Sequence, residues 1–427
     1  MIKTGEVFVP GGLPDVTYVA RETLRAETAV QDFLDERHKM LSLSGPTKCG
    51  KTVLVRRIVP AAITISGGDI ETVDDFWGTV ADKLDVYTDV SKEVSRDESS
   101  ADTRGVSGQI GVPVAKIGGR GSRTTSARET KSHMVGKSRP LHLVAQDALK
   151  ESMDTVLFLD DFHYVPQPVQ LTIVRGLKAL IFDGLRVIVA SVPHRAYDAV
   201  RVENEMTGRV EQFSLPIWSD SELEVIATSG FEVLNIEAAP SVTRRMADES
   251  FGSPHLMQDF CLNLCKVNDI RETVSERKVI DAPDWGPFFA GRATNASKAA
   301  FDLLAKGPPR TDRIPRLLAN GETTDIYGAV LAAIADTGPA TTLPYDRLRA
   351  SLRNVLADEP PQRHEVTRVL VAMSKIARDQ IEGEPVVDYD ESYETLHLSD
   401  PFFAFYLKWG AGDNPKPVAP KQAEPLF

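Results

Sequence analysis

Residues 42–54, SLSGPTKCGKTVL, set a glycine at each end of a short loop and follow it with a lysine and a hydroxyl. Gly45, Pro46, Thr47, Lys48, Cys49, Gly50, Lys51 and Thr52 fit the pattern G-x-x-x-x-G-K-[ST], with Val53 next in the same turn. The chemistry this spacing suits is the binding of a polyphosphate. Crowded negative oxygens need main-chain N–H groups close by with no Cβ in the way, which calls for glycine. A helix beginning at Lys51 would add its partial positive charge. The lysine would then reach β- and γ-phosphate oxygens as a point charge, and the Thr52 hydroxyl would suit a Mg²⁺ shell.

A magnesium shell also needs a carboxylate at the end of a buried strand. TVLFLDDFH, residues 155–163, offers Asp160 and Asp161 after the apolar run Val156–Leu159. Asp160 is expected to hold the metal with Thr52, and Asp161 to orient or deprotonate an attacking water. A third apolar run, LRVIVAS at 185–191, ends in Ser191, which would lie near the γ-phosphate. Lys51, Asp161 and Ser191 form the expected catalytic set, with ATP and Mg²⁺ as the expected ligands.

These residues need a particular scaffold. MLSLS precedes the loop, VLVRRIV follows it, and VQLTIVRGLKALIF separates the second acidic strand from the third run. Strand and helix alternate, so the expected fold class is α/β, a P-loop NTPase with a parallel sheet and helices on both faces. A chain of 427 residues exceeds one ordinary core and predicts two or three domains. Hydrophobic content is 42%, charged content 26%, and no apolar run is long enough for a membrane span. MIKTGEVFVPGGLPD lacks the succession of a secretory signal, so a cytoplasmic protein is expected. Cys49, Cys261 and Cys265 form neither a disulfide framework nor a zinc set and read as reduced thiols. Motifs of metalloproteases, α/β-hydrolases and thiol-redox proteins are absent from the sequence.

Taken together, these stretches resemble the AAA+/STAND branch of P-loop ATPases, especially the origin-recognition-type and archaeal groups that carry a C-terminal winged helix. VTYVARETLRAETAVQDFL resembles the lead-in of that branch, and the resemblance implies that Tyr18, Val19 and Arg21 line the adenine side. LPIWSDSELEVIATSGFEVL, from residue 215, resembles the start of the helical lid, where SDSE also reads as a capping box. ESFGSPHLMQDF resembles the second-sensor region, so that Gly252, Pro254 and His255 would contact nucleotide, with His255 where origin-recognition relatives usually have arginine. Residues 323–409 resemble a winged helix. Its three helices are expected in TTDIYGAVLAAIADTG, LPYDRLRASLRNVLADE and EVTRVLVAMSKIARDQI, and wing strands with a closing aromatic segment in VVDYDESYETLHLSDPFFAFYLKW. Phe402, Phe403, Phe405, Tyr406 and Trp409 are expected to be core rather than a base-stacking platform.

The expected domains are a P-loop core over 1–215, a helical lid over 216–290, a linker and winged helix over 291–412, and a disordered tail over 413–427. Residues 92–140 form an insertion between the two nucleotide motifs. Within it, 104–139 carry Arg104, Lys116, Arg120, Arg123, Arg128, Lys131, Lys137 and Arg139 against Glu129 alone, in a protein of net charge −12. A mobile basic loop that neutralises DNA or RNA phosphates is one reading of this stretch; a contact with an acidic protein surface and a solvated linker are others. The winged helix argues less for nucleic acid, since acids outnumber bases there and DYDE lies in the wing. The resemblance further implies an arginine finger from a neighbouring subunit or protein partner, with Arg195, Arg201 and Arg209 as candidates. The leading expectation is a nucleotide-controlled switch with ATPase activity. A DNA-associated loader and a nucleotide-holding scaffold with little turnover stay open beside it.

Overall fold

The computed structural model describes residues 1–86, 139–192, 208–293, 295–309, 313–381 and 385–410. The basic stretch up to residue 138, Arg195, Arg201 and the tail at 413–427 lie outside the described residues.

The first part of the chain contains α1 (Thr4–Val7), α2 (Ala26–Asp35), β1 (Met40–Ser44), α3 (Lys51–Ile58), β2 (Ile63–Ser66), α4 (Val73–Lys83), α5 (Leu141–Glu151), β3 (Val156–Asp160), α6 (Gln167–Asp183), β4 (Arg186–Ser191) and β5 (Val210–Ser214). The strands form a five-stranded sheet in the order β2-β3-β4-β1-β5, parallel throughout. Side chains alternate across it as the pleat requires. Leu157, Leu159, Val187 and Val189 enter the core under α4–α6. Phe158, Ile188, Leu41 and Leu43 enter the core under α2 and α3. Both faces are covered, so the central strands read as near-continuous apolar runs. The short edge strands β2 (ITIS) and β5 (VEQFS) carry no such run, and the sequence reading above has no place for them.

A helical layer follows: α7 (Asp220–Val233), α8 (Pro240–Asp248), α9 (Pro254–Val267) and α10 (Trp285–Ala290), with the strand pair β6 (Ile236–Ala238) and β7 (Lys278–Ile280). Ser219 caps α7 and Glu222 caps back to it, the reciprocal pair expected from SDSE. The first residues of the chain, ahead of the lead-in, belong with this layer, whereas Ala26, Val30 and Phe33 of α2 pack on the sheet. Val7 and Phe8 lie in the same core as Leu223, Phe231 and Phe260, and Phe8 meets Phe231 edge-on at 5.5 Å. Gly230 makes this possible, because a Cβ there would stand 2.3 Å from the Phe8 ring.

The last part contains α11 (Asn295–Lys306), β8 (Arg316–Leu317), β9 (Thr323–Thr324), α12 (Ile326–Asp336), β10 (Thr342–Pro344), α13 (Tyr345–Val355), α14 (Arg363–Gln380), β11 (Val387–Asp390), β12 (Thr395–Leu398) and α15 (Pro401–Trp409). Helices α12, α13 and α14 occupy the three stretches where apolar spacing puts them, and β10-β12-β11 form an antiparallel sheet beside them. Part of the stretch read as linker is structured: Ala300 and Leu304 of α11 pack into the C-terminal core. Helix α15 joins two cores, since Phe403 and Leu407 face the C-terminal one while Phe405 enters that of the helical layer.

With Phe8 in the helical core, Phe8→Ala should destabilise that layer by about 3–5 kcal/mol. A urea midpoint unchanged from wild type would show instead that residues 1–10 merely rest on the surface.

Candidate functional site

The loop between β1 and α3 is shaped by its two glycines for different reasons. Gly50 adopts φ +102°, a conformation costly for any residue with a Cβ. Gly45 is needed for space: a Cβ there would lie 2.7 Å from the Leu215 carbonyl oxygen and 2.8 Å from Cys49 Sγ. Its N–H donates to the Ser191 carbonyl at 3.1 Å, and Leu215 N–H donates to Ser44 O at 2.7 Å. The loop is therefore wedged between β4 and the residue that follows β5.

Lys51, the first residue of α3, is buried, and its Nζ donates to the carbonyls of Gly45 and Pro46 at 2.8 and 3.0 Å. Thr52 Oγ1 donates to Asp160 Oδ2 at 2.7 Å. Three further polar atoms around this pair, Thr47 Oγ1, Asp160 Oδ1 and Ser191 Oγ, are buried without a hydrogen-bond partner among the described residues. Buried polar atoms are normally satisfied. Orphans gathered beside a lysine and a helix N-terminus fit a polyphosphate with its cation. No group of three or more His, Cys, Asp or Glu that could hold a metal occurs among the described residues. Thr52 with Asp160 is the small ligand set that Mg²⁺ takes when phosphate and water complete its shell.

Asp161 follows in the left-handed conformation, φ 51°. Its carbonyl would lie 2.2 Å from a Cβ on Gly67, so that glycine makes room for the turn. Burial, and then the neighbouring Asp160 charge, push the Asp161 carboxyl above the usual aspartate range, while Lys51 opposes them. A raised carboxyl holds a proton more readily and suits general-base work.

A cavity of about 370 Å³ opens over the loop, within the size range of small-molecule sites. Thr47, Lys48, Cys49, Gly50, Lys51, Thr52, Val53, Asp161, Tyr18, Val19, Arg21, Pro254 and His255 all line it. Gly45, Pro46, Asp160 and Ser191 stand behind that lining, in the loop base and the adjoining strand ends. The apolar wall comes from Val9, Pro14, Leu54, Leu215 and Ile226.

Several side chains have partners that the sequence did not disclose. Arg21 lines the cavity, yet its guanidinium is directed into the helical layer. It pairs with Glu222 at 2.8 Å, donates to the carbonyls of Pro216 and Ile217 at 2.9 and 3.1 Å, and lies 4.8 Å from the Trp218 ring. Trp218 Nε1 in turn donates to the Cys49 carbonyl at 2.8 Å, tying that layer to the phosphate loop. Glu222 serves both Arg21 and the α7 cap, and its pKa is lowered, with the Arg21 and Ser219 hydrogen bonds outweighing a burial effect that raises it. Tyr18 lies under Arg57 at 4.1 Å, and burial with a hydrogen bond to Glu27 raises its hydroxyl pKa. His255 packs against Phe402 at 4.9 Å. Burial, and secondarily Lys48, lower its pKa, so the imidazole is neutral near pH 7. It cannot stand in for an arginine by charge.

Gln258 is a site residue the motif reading missed. It is buried, accepts from Val9 N at 3.1 Å and donates to Thr17 Oγ1 at 2.7 Å, and Thr17 donates to Val7 O. An amide on an otherwise apolar face of α9, between Met257 and Phe260, is the signal that marks it. The three cysteines are buried free thiols. Burial is the first cause raising the Cys49 thiol's pKa. Arg209 precedes β5 at the end of the sheet away from the loop, 5.1 Å from the Phe182 ring.

A parallel sheet whose first strand turns through a glycine loop into a helix, with an acid ending the neighbouring strand, defines a P-loop nucleotide-binding fold. Consistent with this, the chain is similar to a Walker-type ATPase of Pyrococcus abyssi, with 12% identity, TM-score 0.53, and coverage of 91% of this chain and 95% of that one. It also matches an ORC2 protein of Aeropyrum pernix (14% identity, TM-score 0.47, 94% and 95% covered) and Cdc6p of Pyrobaculum aerophilum (12%, 0.41, 95% and 97%). No protein-family model and no curated protein matches the chain. The fold is that of a P-loop ATPase. Among the described residues, no helix is long and apolar enough to cross a membrane.

A carboxyl with a raised folded pKa contributes stability that is full below its unfolded pKa and is lost as pH rises through the folded one. Asp161→Asn, neutral at every pH, should therefore unfold at a higher temperature than wild type near neutrality and at the same temperature below pH ~3.5. An equal offset at both pH values would remove burial of the charge as the cause.

Proposed function

We propose that the protein is a Mg²⁺-dependent ATPase that works as a nucleotide-controlled switch, binding ATP between the sheet core and the helical layer. The observation that carries this reading is the Thr52–Asp160 hydrogen bond beside buried Lys51, ringed by the unpartnered oxygens of Thr47, Asp160 and Ser191. ATP would supply a phosphoanhydride to be cleaved and Mg²⁺ the charge that screens it. Lys51 and the loop N–H groups would hold the β- and γ-phosphates, Thr52 and Asp160 the metal. Asp161, with its raised carboxyl, would orient the attacking water and take up its proton. Ser191 would sit at the γ-phosphate side, and the wall formed by Val9, Tyr18, Val19 and Pro254 would take the base. Arg21 acts through Glu222 and Trp218, fixing the helical layer over the loop.

By the resemblance noted above, efficient hydrolysis is assigned to a neighbouring subunit or partner that supplies an arginine. We read the C-terminal helices and sheet as a winged helix that packs on the ATPase. Two arginines of its third helix are engaged within the protein: Arg378 pairs with Asp388 at 2.6 Å, and Arg363 pairs with Glu394. Arg139, at the end of the basic stretch, pairs with Asp147 at 2.6 Å.

Lys51→Ala should weaken ATP binding by at least about 100-fold, and Asp161→Asn should leave binding within about twofold while slowing hydrolysis by about 10²-fold or more. Calorimetry and single-turnover assays read these separately. Wild-type affinity in the lysine variant would defeat the proposal, whereas wild-type turnover in the aspartate variant would remove only the role given to Asp161.

A further inference from the structure

Lys48 occupies the left-handed region, φ 60°, where glycine sits freely and a side chain is strained. Its side chain leaves the phosphate loop for the C-terminal domain. Nζ lies 3.1 and 3.3 Å from the two carboxylate oxygens of Asp400 and 3.9 Å from the centroid of the Phe402 ring. Asp400 is at the same time the N-cap of α15, accepting from Phe402 N at 2.8 Å. At the far end of α15, Lys408 and Trp409 donate to Glu249 of the helical layer at 2.9 and 2.7 Å. Lys48 also lines the cavity that contains Lys51 and Thr52. One ammonium is therefore shared between the phosphate loop and the first turn of the last helix.

We propose that Lys48 is a phosphate-responsive latch, for which bound polyphosphate and the Asp400 carboxylate compete. This inference rests on the nucleotide-binding reading above. Lys48 and Asp400 are partly exposed, and the simple ion pair would contribute little by itself. The cap and the Phe402 ring fix its geometry, so losing Lys48 disturbs the start of α15 as well. Asp400 is also a negative charge well inside a Debye length of whatever the loop binds. Polyphosphate that draws Lys48 away leaves that charge unpaired and facing an anion. The coupling must act in both directions: nucleotide loosens α15 from the loop, and a docked α15 weakens nucleotide. Its size should follow the charge of the phosphate chain, since the competition is for one ammonium.

The test is calorimetric titration of ATP, ADP and AMP into wild type, Asp400→Asn, Lys48→Met and the double variant, with Lys51→Ala alongside. Asparagine keeps the helix cap while removing the charge; Asp400→Ser, also a cap, replaces it if that variant is unstable. Asp400→Asn should tighten ATP by about three- to tenfold, ADP by less and AMP not at all, and the gain should be smaller once Lys48 is methionine, leaving only the direct repulsion by Asp400. An equal gain for AMP, or the same gain without Lys48, would overturn the latch. Nucleotide binding with Asp400→Asn unchanged overturns the latch alone, while a wild type that binds no nucleotide overturns it together with the reading on which it rests.

Discussion

The lack of space at Gly45 governs the site. The Leu215 carbonyl and the Cys49 sulfur both crowd the position where a side chain would begin. The phosphate loop is consequently packed against the residue that follows β5, where the chain leaves the sheet for the helical layer, instead of standing free above the sheet. Trp218 bonded to the Cys49 carbonyl and Arg21 bonded to Pro216, Ile217 and Glu222 hold the same seam from the other side. Close-packed interiors transmit displacement rather than absorb it. A loop that adjusts to a ligand must therefore move its neighbours, which is the physical argument behind the switch proposed above.

The chemical centre was legible because its residue types are dictated by charge and sterics at short range. Two glycines, Lys51, Thr52 and a strand ending in Asp160 have few other reasons to occur in that order, and β1, β3 and β4 announce themselves as apolar runs covered on both sides. The edge strands β2 and β5 were not legible, since half-covered strands of four or five residues carry no run and no clear alternation. Nor was the helix Asn295–Lys306 in the stretch read as linker, whose Ala300 and Leu304 find their partners in helices that follow it in the chain.

Long-range pairings account for the remaining differences. Nothing local to VARE says that the arginine will reach Glu222, or that the first residues of the chain will fill a core made by α7 and α9. Phe402 illustrates the same limit: its closing segment is core, as an aromatic helix suggests, but this ring lies against Lys48 and His255 at the rim of the cavity. His255 stands where a cation would be expected, and burial makes it neutral. Sequence identifies the residue type at such a position, but its electrostatic state depends on what packs around it.

The buried relay from Val7 through Thr17 to Gln258 also constrains the order of folding. Gln258 follows Thr17 by 241 positions, so on a ribosome the lead-in emerges long before its partner exists. Until α9 is made, Val7 and Phe8 remain apolar residues without a core, exposed to chaperones and to aggregation. The sheet can form meanwhile from its own contacts, leaving completion of this wall of the cavity as a late event in biogenesis.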